Sequence, residues 1–136
     1  MEIRLAEKRD LIKAVLLDSH IPAEKLAESL EKCRVDLLES SEGKIEGILR
    51  FSFFWQTIPF LDLIYLNENY RNRGYGTLMM DKWENDMKLM DYKYVMTSTQ
   101  EDETAYKFYE KRGYVLKGGF YPPEQKAKEL IYIKEL

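Results

Sequence analysis

Arg71-Asn72-Arg73-Gly74-Tyr75-Gly76 marks the junction between a strand-like run and a helix-like run. Ahead of it, Leu61-Asp62-Leu63-Ile64-Tyr65-Leu66 has the apolar, aromatic and aliphatic content of a mostly buried strand. Behind it, Met80, Trp83, Met87 and Met90 recur at intervals of three or four, the period of one helical face. Two glycines at such a junction let a ligand approach the backbone closely. The first N–H groups of the helix, backed by the positive end of its dipole, point to the same place. With Arg71 and Arg73 flanking it, the junction reads as an anion cradle, and the expected guest is a pyrophosphate.

Three glycine-loop patterns compete for this stretch. A P-loop requires Lys-Ser or Lys-Thr after its last glycine, but Thr77-Leu78 follows Gly76. A dinucleotide fingerprint requires a third glycine at the sixth place from Gly74, which is Met79. The remaining pattern, Arg/Gln-x-x-Gly-x-Gly/Ala between strand and helix, is met in full and resembles the coenzyme-A loop of the GNAT superfamily of N-acyltransferases. A second stretch, Ala105-Tyr106-Lys107-Phe108-Tyr109-Glu110-Lys111-Arg112-Gly113-Tyr114, is similar to that family's Ala-x-x-x-Tyr-x-x-x-Gly-Phe/Tyr signature. Tyr94-Val95-Met96-Thr97-Ser98-Thr99 supplies the intervening strand, so the resemblance covers about Leu61 to Gly118.

Along the rest of the chain, Glu2 to Leu5 reads as a first strand, and Glu7 to Asp18 as a helix with Leu11, Ile12, Val15 and Leu16 on one face. Pro22 suits the first turn of a second helix running to about Cys33. Val35 to Glu39 is the next strand, Ser41-Glu42-Gly43 a turn, and Lys44 to Trp55 a longer strand. Gln56-Thr57-Ile58-Pro59 reads as the connection into the Leu61 strand. Gly113 closes the Tyr109 helix, and Tyr114–Tyr121 with Leu130–Lys134 form a final strand pair across Pro122-Pro123. The order β-α-α-β-β-β-α-β-α-β-β is an α/β domain on a mixed sheet flanked by helices, which is the GNAT order.

At 136 residues the chain is expected to form one domain. No apolar run approaches a bilayer span, and Met1-Glu2-Ile3-Arg4 lacks the apolar stretch of a signal peptide. A lone Cys33 has no internal disulfide partner, which fits a reducing cytoplasm. A net charge of −3 gives no reason to expect nucleic acid as a partner. His20 has no companion ligands at metal spacing, so no metal is expected. Cys33, near a helix end, is expected to be packed rather than reactive. Phe51, Phe53 and Trp55 alternate, so Phe54 points to the other face. Trp55 is free to line an acceptor pocket or a dimer contact.

The resemblance implies direct acetyl transfer from acetyl-CoA, as co-substrate, to a primary amine. By this resemblance, backbone from Arg71 through Thr77 (Asn72, Arg73, Gly74, Tyr75 and Gly76 between them) would hold the pyrophosphate. Leu66 and Asn67 would lie along the pantetheine arm, with oxyanion donors near Leu66, and Tyr109 would take the place of the general acid. Asp102 stands where many members carry an arm-contacting Asn, inside the acidic run Gln100-Glu101-Asp102-Glu103 that also suits a helix N-terminus. An ammonium must lose a proton before it can attack. Asp62, a carboxylate in an apolar strand and on the same face as Ile64 and Leu66 by period two, is the candidate base; Glu46 is its rival. Asp62 has the alternatives of facing solvent or pairing with a neighbouring strand, and Tyr109 of serving as core; Phe108 is expected in the core. The competing function is a catalytically silent coenzyme-A-binding sensor or interaction module. Neither the acceptor (small-molecule or peptide) nor a homodimer is written in the residues.

Overall fold

The computed structural model describes every residue, Met1–Leu136. Its elements are β1 (Glu2–Leu5), α1 (Leu11–Leu17), α2 (Ala23–Glu31), β2 (Val35–Glu39), β3 (Ile45–Phe54), β4 (Ile58–Leu66), α3 (Tyr75–Leu89), β5 (Tyr94–Gln100), α4 (Ala105–Lys111), β6 (Val115–Phe120) and β7 (Glu129–Glu135). Short 3-10 turns, Lys8–Asp10 and Glu68–Tyr70, precede α1 and α3. The seven strands hydrogen-bond in the order β1-β2-β3-β4-β5-β7-β6, with β4 and β5 parallel and the flanking pairs antiparallel. This is the expected α/β class and element order. No helix is long and apolar enough to cross a membrane.

The chain forms two compact units: Met1–Ser52 with Asp62–Asn85, and Phe53–Leu61 with Asp86–Leu136. In the first, one core gathers Ala14, Leu26, Leu30, Val35, Leu37 and Ile48, with Leu63 and Tyr65 packed against it. The expected face of α1 is corrected: Ile12 and Leu16 are 80% and 82% exposed, while Ala14 is fully buried. The inward stripe is Leu11, Ala14, Val15 and Asp18, also at helical spacing. An ion pair from Asp18 to Arg50 at 2.6 Å holds that stripe inward, a pull that apolar patterning does not reveal. Met79, Met80, Trp83 and Met87 of α3 are buried, and Phe51 meets Trp83 at 5.8 Å between ring centroids.

β3 and β4 are joined more tightly than expected. The turn is Trp55-Gln56, with both φ positive at 54° and 62°, and the Thr57 N–H donates to Phe54 O at 3.1 Å. Both central residues of this turn thus have positive φ although neither is glycine, and Trp55, Gln56 and Thr57 together separate the two strands. Ile58 and Pro59, expected in the connection, belong to β4. Trp55 leaves the strand alternation and stands 79% exposed at the tip. At the far end of the pair, the Asn67 N–H donates to Glu46 O at 2.9 Å. From the strand ends at Phe54 and Ile58 to this bond, β4 holds one residue more than β3, so its ladder is bulged.

Three helices stop in the same way. At α4 the Tyr114 N–H donates to Tyr109 O and the Gly113 N–H to Glu110 O, with Gly113 at φ 93°. This paired bonding is a Schellman cap, and its customary apolar contact is the Tyr109–Tyr114 ring pair at 5.6 Å. α2 ends likewise at Cys33 (φ 58°) and α3 at Asp91 (φ 68°). Two expectations are corrected here. Cys33 is exposed rather than packed, because the cap turns it outward. Met90 is 63% exposed because α3 has already closed at Leu89, and Met79 takes its place inside.

Candidate active site

Gly74 accepts the first i→i+4 bond of α3, from the Leu78 N–H at 3.1 Å, so the N–H groups of Tyr75, Gly76 and Thr77 have no partner within the helix. Gly74 itself has φ +87°, and no heavy atom lies within 4 Å of the Cβ position built on it. Asn72 is also left-handed, at φ 59°. The bend therefore opens outward, with its amides presented together. The two flanking arginines are folded along the loop. Arg71 donates from Nε to Leu66 O at 2.8 Å and lies over the Tyr65 ring, while Arg73 donates to Asn69 O at 3.2 Å between the rings of Tyr70 and Tyr75.

At the end of β4 the backbone separates two residues that the sequence groups together. The Asn67 N–H is bonded to Glu46 O, and its Nδ2 donates to Glu46 Oε2 at 2.7 Å, so both donors face β3. Strand alternation turns the Leu66 amide to the opposite edge. That edge suits an added extended ligand; Asn67 is committed elsewhere. Glu46, the rival base, is held by this same amide.

Asp62 does not share a face with Leu66, which corrects the period-two expectation. Its carboxylate accepts from Ser52 Oγ at 3.0 Å and from Arg50 Nη1 at 3.4 Å. Arg50 is paired in register with core Val35, so this is the face covered by α1 and α2. Leu66 instead lies where a Cβ on Gly47 would come within 2.6 Å of its Cδ2. Gly47 pairs with Leu38, two places from Asp36, which meets Lys82 of α3. The bulge in β4 breaks the alternation between the two residues. Burial raises the Asp62 carboxyl above its ordinary pKa, opposed by the Ser52 hydroxyl and the Arg50 charge.

In the second unit, Tyr109 is 6% exposed, between Phe108 (5.5 Å) and Tyr114 (5.6 Å) in edge-on ring contacts. Its hydroxyl hydrogen-bonds with that of Thr97, and Thr97 donates in turn to Leu61 O at 3.1 Å. Burial raises the pKa of Tyr109, keeping the phenol in its neutral form. Phe108 is only half-buried, with Arg112 over its ring, so Tyr109 rather than Phe108 is the core residue of α4. Asp102 is exposed and lies ahead of the first turn of α4, whose N-cap is Thr104; no side chain caps it.

Three partners of these residues escape the sequence reading: Thr97, Arg50 and Asp18. Arg50 carries the clearest signal, a charge inside the apolar run Ile48-Leu49-Arg50-Phe51 with a carboxylate on the next strand. Residues 5–114 match the model of the acetyltransferase (GNAT) family. No curated protein matches the chain significantly in sequence. Among solved structures, Ard1 from Thermoplasma volcanium is similar with a TM-score of 0.87 at 16% identity, over 99% of this chain and 97% of that one. The ribosomal-protein-S18-alanine N-acetyltransferase from Escherichia coli is similar at 0.83 and 14%, over 98% and 92%. The PaiA N-acetyltransferase from Thermoplasma acidophilum, in complex with coenzyme A, is similar at 0.81 and 14%, over 99% and 98%. At these identities the likeness is one of fold.

Proposed function

This chain belongs to the GNAT acetyltransferase family, and from that premise we propose that it moves an acetyl group from acetyl-CoA to a primary amine by direct attack. The observation that carries the reading is the open bend at Gly74, with φ +87° and nothing within 4 Å of its Cβ position. Amides of Gly74 through Thr77 bind the diphosphate at the positive end of α3. Asn72 shapes the turn, and Arg71 and Arg73 leave their carbonyl partners to meet the phosphates. The pantetheine arm lies along the Leu66 edge like an added strand.

In this scheme Asp62 takes a proton from the acceptor ammonium. The freed amine attacks the thioester carbon, forming the C–N bond, and the Leu66 amide is a donor for the oxyanion. The C–S bond then breaks, Tyr109 protonates the departing thiolate, and the amide nitrogen releases its second proton. The products are an N-acetyl amide and free coenzyme-A thiol. The unpaired Cys33 supports a cytoplasmic setting. Several fold neighbours carry N-acetyltransferase in their names, which supports an amine acceptor, and protein N-termini, lysines, polyamines, amino acids and aminoglycosides are the candidates.

One observation favours the rival reading, a coenzyme-A-binding module without turnover. The polar ends of Asp62 and Tyr109 already hold protein partners. Isothermal titration with acetyl-CoA, followed by thiol release with a panel of those amines, separates the two. Saturable binding with amine-dependent thiol is expected. Binding without thiol release across the panel supports the silent module, and no binding by the folded protein removes both.

A further inference from the structure

In the first unit a single buried guanidinium serves two carboxylates with unequal claims. Arg50, 7% exposed, donates from Nε to Asp18 Oδ2 at 2.6 Å but reaches Asp62 Oδ2 from Nη1 only at 3.4 Å. Asp18 is 1% exposed, and its other oxygen accepts the His20 N–H at 3.1 Å. The Asp62 side chain is the end that reaches solvent, at 22% exposure, and it takes a neutral donor, Ser52, on its second oxygen. The arrangement is a line from the buried Asp18 through Arg50 to the accessible Asp62.

A structural ion pair would be complete with Arg50 and one aspartate. The second carboxylate gives the trio a negative charge in excess, and burial makes that excess matter. An opposite charge within about 4–6 Å shifts a carboxyl by about 1–3 pKa units, so the aspartate that holds the guanidinium closely controls the basicity of the other. We propose that Asp18 is a positioning residue: by engaging Arg50 at short range it holds the guanidinium to a long 3.4 Å contact with Asp62, leaving Asp62 basic enough to take the acceptor's proton. The proposal rests on the acyl-transfer reading above, in which Asp62 is the base. The groups facing Asp62 come from every adjoining segment. They are Arg50 and Ser52 on β3, Asp18 at the end of α1, and Arg34 in the turn before β2. Burial and Asp18 push its carboxyl up, while Ser52, Arg50 and Arg34 pull it down.

Two near-isosteric substitutions then act in opposite directions. Asp18→Asn keeps the shape and an oxygen acceptor but removes the competing charge, so Arg50 turns to Asp62 and its carboxyl titrates lower. A base works only when deprotonated, so the acid limb of kcat/KM moves to lower pH by about one unit, and the weaker base slows the plateau several-fold. Ser52→Ala removes a donor to the carboxylate, so both the titration and the acid limb move to higher pH. The readouts are the carbon-13 titration of the Asp62 carboxyl by NMR and the pH profile of thiol release, alongside thermal melts. Opposite displacements support the proposal. Two unmoved titrations, or two moved the same way, overturn it and leave a packing role. If Asp18→Asn does not fold, Arg50→Lys decides. Its single ammonium stays with Asp18, so Asp62 must titrate higher; no movement overturns the proposal. A wild-type protein that fails to bind acetyl-CoA removes the acyl-transfer reading, and with it the base role that the proposal needs. An unmoved titration in a protein that turns over removes the inference alone.

Discussion

Substituting Gly74→Ala separates the strain of the bend from its role toward a ligand. At φ +87° an L-residue is held in a region that costs about 1–2 kcal/mol. The added methyl finds no atom within 4 Å, so no clash adds to that figure. For a chain of this size such a loss lowers Tm by about 3–8 °C. In the proposed binding mode the same methyl stands where a diphosphate approaches the amides of Tyr75, Gly76 and Thr77. Losing one charge-assisted hydrogen bond, about 1.5–3 kcal/mol, weakens acetyl-CoA binding by about ten- to a hundredfold. Gly113→Ala is the control. Its φ of +93° carries comparable strain, and its new Cβ meets only Lys134 Cε at 3.9 Å, an ordinary contact. Both variants are expected to melt earlier, but only Gly74→Ala to lose affinity in isothermal titration at a temperature where both are folded. Wild-type affinity in Gly74→Ala, at a stability loss matching the control, refutes the idea that the bend grips the cofactor.

Tyr109→Phe keeps the ring packing and removes one hydroxyl, so acetyl-CoA affinity should hold within about twofold while turnover falls at least ~100-fold. Steady-state thiol release measures this, and an unchanged kcat takes the acid role from Tyr109. Asp10 hydrogen-bonds both prongs of Arg4 and accepts the Glu7 N–H, and Arg4 is the main reason its pKa is lowered to about 2. A depressed folded-state pKa stabilises the fold above the unfolded value of about 3.8, and the gain fades as pH falls toward 2. The advantage of wild type over Asp10→Asn should thus be up to about 2 kcal/mol in urea unfolding at pH 7 and shrink below pH 4. A difference that stays constant down to pH 2.5 contradicts that assignment. Cys33→Gly relieves a left-handed φ of 58° at an exposed helix end. It should raise stability by about 0.5–1 kcal/mol, and a lower Tm would mean that the thiol makes a contact of value.

What the sequence makes legible follows from how local the cause is. β1 and β2 appear at their expected bounds because alternation and flanking turn residues are short-range signals. The Tyr-x-x-x-Gly-Tyr spacing is equally local: it is the register of a Schellman cap, with Tyr109, Gly113 and Tyr114 in its three defining places. The ends of α2 and α3 are built the same way but lie hidden, because Cys33 and Asp91 occupy the left-handed place that glycine usually marks. Trp55-Gln56 conceals a hairpin for the same reason. The face of Asp62 is lost because a bulge in β4 interrupts the count from Leu66. The partnership of Asp18 with Arg50 spans 32 residues, beyond any periodic pattern, and it joins Leu11, Ala14 and Val15 on the inward face of α1 while Ile12 and Leu16 turn to solvent. Glycines and arginines mark the proposed cradle, yet where Arg71 and Arg73 rest depends on carbonyls and rings that only the folded loop assembles.

The Trp55-Gln56 tip also limits how this chain can diverge. Side chains along a strand alternate in pairs, so adding or deleting one residue there would exchange inside for outside from Ile58 to the bulge and expose the buried Leu61. Descendants are free to vary the chemistry of that corner, where an indole already stands in water, but not its length. Indels should therefore accumulate elsewhere, and the corner should stay three residues long, Trp55 to Thr57, even where its letters drift.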